Sequence, residues 1–194
     1  MSTCYIPKTP DELGQALSRL TGHSLILAGG TDLVLRLRSK HLEPDVLLSL
    51  SDVPELREIE ITPERASIGA MATMAQVNQA VDGLPDLQAL ADAARGVGSP
   101  QIRNKGTIGG NAANASAAAD LPPVLWLLNA QAEIMGPGGA RRTIPVQELP
   151  DGHQGNTLAV GEVVVRFVID RVPLRGWRSA FVKLGHRSQV TISR

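Results

Sequence analysis

The sequence predicts an α+β protein of two lobes: a small β–α–β–β lobe over residues 1–55 and a larger antiparallel-sheet lobe over residues 56–178, with residues 179–194 opening a further, C-terminal region. Three observations lead there. Up to Asp52, one amphipathic helical stretch is flanked by short apolar runs that stop at turn residues. Beyond Pro54 the apolar residues alternate in short pairs of stretches, as half-exposed antiparallel strands do. Two of the three Gly-Gly steps, Gly29-Gly30 and Gly109-Gly110, fall one in each lobe, the third being in a hairpin signal.

In the small lobe, Thr9-Pro10-Asp11-Glu12 reads as a helix start, with Thr9 as cap, Pro10 in the first turn and Glu12 closing a capping box. Leu13, Ala16, Leu17 and Leu20 then keep helical spacing up to Thr21-Gly22. Leu25 to Ala28 is too short for a helix and reads as a buried strand stopped by Gly29, and Val46 to Leu50 reads as another.

In the larger lobe, Ile59 to Thr62 and Ala66 to Gly69 alternate around a Pro63-Glu64 turn. Thr73-Met74-Ala75-Gln76 is a second capping-box pattern, opening a helix toward Val81. Asp86 to Arg95 is rich in Ala and Leu and ends at Gly96, as helices do. Gln131 to Met135 and Ala140 to Ile144 flank Gly136-Pro137-Gly138-Gly139, a hairpin signal. Thr157 to Ile169 and Ser179 to Leu184 read as further strands.

Composition removes several function classes. Nineteen Lys plus Arg balance 19 Asp plus Glu, and aromatic residues make up 3%, a poor endowment for binding nucleic acid. The lone cysteine, Cys4, offers neither an internal disulfide nor the thiolates of an iron–sulfur cluster, and the four histidines lack ligand spacing. No apolar run approaches the about 18 residues that cross a bilayer, and Met1 to Pro10 carry no signal-peptide core, so a cytoplasmic protein without membrane contact is expected.

The Gly-Gly steps carry the chemistry. Lacking two successive Cβ atoms, such a step turns sharply and lets its N–H groups approach a ligand, and successive N–H groups form a concave nest for phosphate oxygens. Ala28-Gly29-Gly30-Thr31-Asp32 follows the apolar run Leu25-Ile26-Leu27, but it matches neither the Rossmann nor the Walker pattern and serves equally as a tight strand-to-loop turn. From Thr107 to Asp120 the small residues are broken by Asn111, Asn114, Ser116 and Asp120. A tightly packed Ala-rich helix explains the alanines but not the spaced polar groups. Asp120 fits a helix N-cap and fits equally an acceptor for a ribose hydroxyl. Arg103 and Lys105 are available as positive charge or as solvated surface residues, and Trp126 and Trp177 read as core or interface anchors. Two nests on different lobes suit the two ends of a diphosphate, which makes a dinucleotide the first candidate ligand.

Taken together, Leu27-Ala28-Gly29-Gly30-Thr31-Asp32-Leu33, Ser99 to Asn104, Thr107-Ile108-Gly109-Gly110-Asn111, Asn114-Ala115-Ser116 and Asp120 resemble the FAD-binding medium subunit of molybdenum hydroxylases of the xanthine dehydrogenase and carbon monoxide dehydrogenase type. Phe181 to Arg187 and Thr191 to Arg194 look like the same subunit further on. The sequence departs from the family in having Ala112-Ala113 after Asn111 and Ala117 after Ser116, and it stops where relatives continue, as a truncated subunit would.

The resemblance implies the two-lobed FAD-binding fold of the vanillyl-alcohol oxidase (PCMH) type, with FAD held noncovalently in the cleft between the lobes. It implies that Leu27 to Leu33 and Thr107 to Asn111 hold the diphosphate, that Asn114, Ser116 and Asp120 hold diphosphate and ribose groups, and that Lys183 and the segment toward Thr191 lie near the isoalloxazine. It further implies an oxidoreductase subunit without a catalytic acid or base of its own. Electrons would arrive from iron–sulfur clusters and a molybdenum cofactor on partner subunits and leave to NAD or another acceptor. A stand-alone flavin reductase of the same fold and a truncated, non-catalytic remnant are the rival expectations.

Overall fold

The computed structural model describes residues 2–152 and 155–184. The first strands, β1 (Thr3–Tyr5), β2 (Leu25–Leu27) and β3 (Val46–Ser49), form a three-stranded sheet in the order β1-β3-β2, with both pairs parallel. Parallel neighbours need crossovers, and two helices supply them: α1 (Pro10–Leu17) and α2 (Leu33–Ser39). The expected β–α–β–β order therefore lacks a helix. The sequence Leu33-Val34-Leu35-Arg36-Leu37-Arg38 hid α2, because its apolar residues do not form one stripe and none of its residues is buried.

Thr9 caps α1, its hydroxyl accepting from Glu12 N at 3.2 Å. The Glu12 carboxylate reaches one residue further back than a capping box requires and accepts from Lys8 N at 2.7 Å. The helix ends at Leu17, one turn short of the expected Thr21-Gly22.

The second sheet has five strands, all antiparallel, in the order β4-β5-β8-β6-β7: β4 (Ile59–Ile61), β5 (Arg65–Gly69), β6 (Gln131–Met135), β7 (Arg141–Pro145) and β8 (Val163–Asp170). Between β5 and β6 run α3 (Met74–Val81), α4 (Gln88–Gly96), α5 (Pro100–Arg103), α6 (Ile108–Ala113) and α7 (Leu121–Leu127). The Thr73/Gln76 capping box forms in both directions. The β6–β7 hairpin turns where expected, with Gly138 and Gly139 at positive φ. Ser179 to Leu184, expected as a strand, instead runs as an irregular strap. Its Ser179 hydroxyl accepts from Ala89 N at 3.0 Å near the start of α4, and Phe181 packs on the core.

Two apolar clusters lie on opposite faces of the five-stranded sheet. Ile68, Ala132, Ile134, Val164, Phe167 and Ile169 face α3, α4, α6 and α7. Met135, Val163 and Val165 face the other way and pack on Leu13, Leu17 and Leu48 of the small sheet and its helix. The start of β8 is thus buried on both sides, which is why Val163-Val164-Val165 reads as a continuous apolar run rather than an alternation. At this seam α1 meets the β6–β7 turn, where a Cβ on Gly14 would come 2.6 Å from Gly139 N. Among the described residues no helix is long and apolar enough to cross a membrane.

Candidate functional site

A cavity of about 590 Å³ opens between the two sheets, with three walls. The β2–α2 loop from Ala28 to Leu33 forms the first, the run from Gly106 to Ala119 the second, and the approach to β8 from Asn156 to Val164 the third.

The first wall is a true nest. Leu27 ends β2, half-buried, and is anchored when its carbonyl accepts from Leu50 N at 3.0 Å. Gly30 then takes φ +73°, a left-handed turn that glycine adopts without steric cost. A Cβ on Gly29 would overlap the Lys105 carbonyl, whose carbon lies 2.8 Å away, so this loop lies directly on the second wall. The N–H groups of Gly29, Gly30, Thr31, Asp32 and Leu33 donate to no acceptor among the described residues. Neither the Thr31 hydroxyl nor the Asp32 carboxylate caps α2; Asp32 lies 3.7 Å from Arg36 at the rim.

The second wall uses its glycines differently from the sequence-based expectation. Thr107 caps α6, its Oγ1 accepting from Gly110 N at 3.1 Å. Ile108 N donates to Ala72 O, Gly109 N to Ala70 O and Asn111 N to Thr107 O, at 3.0, 2.8 and 3.0 Å. These N–H groups are spent inside the protein, so no nest forms here. Ile108 itself is a core residue away from the cavity. Gly109 is required for contact, since its Cβ would fall 2.6 Å from that of Ala70. At Gly110 a Cβ would stand 3.0 Å from Thr107 Oγ1 and 3.6 Å, an ordinary contact, from Ala28 Cβ of the first wall.

Asn111 and Asp120 exchange the expected capping role. Asn111 Oδ1 accepts from Leu121 N at 3.3 Å and so caps α7, whereas the Asp120 side chain makes no cap bond. Asp120 Oδ2 accepts from Lys183 Nζ at 2.8 Å in a nearly buried ion pair. The structure brings these two expected residues together just behind the cavity wall. Asn114 and Ser116 line the cavity on either side of Ala115, which takes φ +49°. Of the sixteen expected site residues, Leu27, Ile108, Asp120 and Lys183 are the four outside the lining.

The Arg103 guanidinium donates to the carbonyls of Val97 and Gly98, and Lys105 is exposed, so neither faces the cavity. Trp126 and Trp177 are exposed rather than core residues. No group of His, Cys, Asp or Glu among the described residues could hold a metal ion. His186, Arg187 and Thr191 to Arg194 lie outside the described residues.

The third wall was not foreseen, because 157–169 reads as one strand. The signal was Gly161, at φ +83°, which breaks the segment before β8 begins. Asn156 Nδ2 donates to Ala113 O at 2.7 Å at one end of this segment. At the other, Glu162 lines the cavity while its carboxylate accepts two bonds of 2.7 Å from Arg142 and one of 2.8 Å from Ala159 N. The Arg142 guanidinium, with help from the Ala159 N–H, holds the Glu162 carboxyl below the usual glutamate range.

Comparison with known proteins places these features in context. Residues 1–171 match the family described as the FAD binding domain in molybdopterin dehydrogenase. The chain is 34% identical to the nicotinate dehydrogenase FAD-subunit of Eubacterium barkeri, over 97% of this chain and 64% of that protein. It is 31% identical to the carbon monoxide dehydrogenase medium chain of Hydrogenophaga pseudoflava, over 95% of this chain and 63% of that one. The crystal structure of carbon monoxide dehydrogenase from Hydrogenophaga pseudoflava superposes with a TM-score of 0.82 at 27% identity, covering 98% of this chain and 66% of that one. The chain therefore spans less than two thirds of the length of these relatives.

Proposed function

The chain belongs to the family of FAD-binding domains of molybdopterin dehydrogenases, and from that premise we propose that it carries the flavin of a molybdenum hydroxylase complex, as part of its medium subunit. Residues 1–55 form the small lobe and 56–178 the large lobe of a two-lobed PCMH-type fold, with the cofactor lying in the cleft between them. Partner subunits, one binding molybdenum and one carrying iron–sulfur clusters, deliver electrons, and NAD or another acceptor removes them. Bound FAD would supply the redox chemistry, and this chain supplies position and electrostatics.

One observation carries the reading: five consecutive N–H groups, Gly29 to Leu33, have no acceptor among the described residues, and these residues line a cavity with Gly110 on its opposite wall. Unpartnered N–H groups in a half-buried loop are costly unless water or a ligand accepts from them, and a diphosphate presents the matching acceptors. The fit is good on the first wall. On the second, Gly110, Asn114 and Ser116 would contribute shape and side-chain donors rather than backbone donors. Asp120 and Lys183, paired with each other outside the lining, would hold ribose or ring groups only once that pair opens.

The test is to purify the chain with excess FAD, desalt it and record the flavin absorbance bands. Stoichiometric yellow protein is the expected result, and a folded, colourless chain would overturn the assignment. Gly110→Val should weaken FAD binding by more than about tenfold, because a branched side chain in a close-packed slot has no room to relax. Unchanged affinity in that variant would remove the diphosphate from this slot.

A further inference from the structure

The third wall of the cavity is held by a side-chain clamp, and the geometry points to Arg142 and Glu162 as positioning residues for the cofactor; this rests on the FAD reading above. The segment 156–162 has no strand or helix of its own. It is pinned at Asn156 to the end of α6, at Thr157 to the carbonyls of Leu149 and Glu148, and at Glu162 to Arg142 on β7. Between the pins, Leu158, Ala159, Val160 and Gly161 all line the cavity. Val160 is 58% exposed, an apolar side chain at the cavity edge that nothing among the described residues covers.

The clamp is stronger than an ordinary surface pair. A guanidinium bound to a carboxylate through two parallel bonds of 2.7 Å is fixed in direction as well as distance. The same carboxylate accepts from Ala159 N at 2.8 Å, so it folds the segment back on itself as it ties it to β7. The Glu162 side chain is 15% exposed and that of Arg142 41%, so solvent partly screens the pair and its strength lies in its alignment. Gly161, whose added Cβ would come 2.7 Å from Leu17 O, fixes the segment from the other side against α1. Arg142 itself does not line the cavity, so its influence on the cofactor passes through Glu162.

FAD dissociation constants and the visible circular dichroism of the bound flavin would be measured for the wild-type chain and for Arg142→Ala, Arg142→Lys and Glu162→Gln. The alanine variant should bind FAD about three- to tenfold more weakly, the range expected when a well-aligned pair is lost. Its flavin dichroism should change and its unfolding midpoint without flavin should stay near wild type. Lysine should restore part of the affinity, since it keeps the charge but not the fork, and Glu162→Gln should fall between. Wild-type affinity and dichroism in both Arg142→Ala and Glu162→Gln overturn the clamp while leaving the flavin assignment intact. A wild-type chain that takes up no FAD overturns both.

Discussion

Ala115 stands between two cavity-lining residues, Asn114 and Ser116, with φ +49°. A left-handed backbone costs an alanine about 1–2 kcal/mol. Ala115→Gly removes that strain, offset by about 0.5–1 kcal/mol of extra backbone freedom in the unfolded chain. The variant should therefore unfold up to about 1 kcal/mol less readily, a rise of roughly 1–4 °C in midpoint read by thermal denaturation. A lowered midpoint would show that Ala115 does not hold this turn in the folded protein. Nothing in Asn-Ala-Ser announces a left-handed residue, so this feature was invisible in the sequence. Gly29 and Gly109 were legible as places where a Cβ is excluded. What excludes it was not, because Gly29 meets the carbonyl of Lys105, far along the chain.

At the level of elements, patterns held where a segment packs on one side and failed where it packs on two or none. The α3 capping box, the β6–β7 hairpin and the β4–β5 pair were readable because each is local and half-buried. Helix α2 was missed because it buries no residue, and the start of β8 was blurred because both its faces are buried. One further link between elements was silent in sequence. Arg171, just past β8, donates to both carboxylate oxygens of Asp86, which precedes α4, at 2.8 and 3.0 Å, and to Thr62 O in the β4–β5 turn. Those bonds hold the Asp86 carboxyl below its ordinary value of 3.8. Its stabilising contribution is therefore complete above that pH and disappears as pH falls through the lower, folded-state value. Asp86→Asn should cost about 2 kcal/mol at neutral pH, as expected for lost bonds to a charged partner, and the gap from wild type should narrow below pH 3.8. Urea unfolding at neutral and acid pH checks this, and a gap that stays constant with pH would refute the role of the carboxylate charge.

At the scale of the whole molecule, the cavity exists because the small sheet sits at a fixed height on the large one. Its first wall comes from the small sheet and its other two from the large sheet and helices, so any shift at the seam changes the slot. Three close approaches set that height. Gly14 of α1 lies against the backbone of Gly139, Gly161 lies against Leu17 O, and Ser18 Oγ accepts from Gly138 N at 2.9 Å. A glycine inside a helix costs about 1 kcal/mol against alanine, and at Gly14 that cost is offset by letting two backbones touch. The sequence hints at this only as an unexplained glycine in α1, because its partner is an element separated from it by most of the chain. Gly14→Ala places a Cβ 2.6 Å from a backbone nitrogen that has no flexible side chain to yield. It should lower stability by about 1–3 kcal/mol, as overpacking does, and weaken FAD binding as the walls separate. Gly96→Ala is the matched control, since a Cβ there meets nothing within 4 Å and Gly96 does not line the cavity. Thermal midpoints and FAD affinities of the two variants should diverge, with Gly96→Ala near wild type. If Gly14→Ala behaves like Gly96→Ala in both measurements, the seam does not set the spacing of the cavity walls.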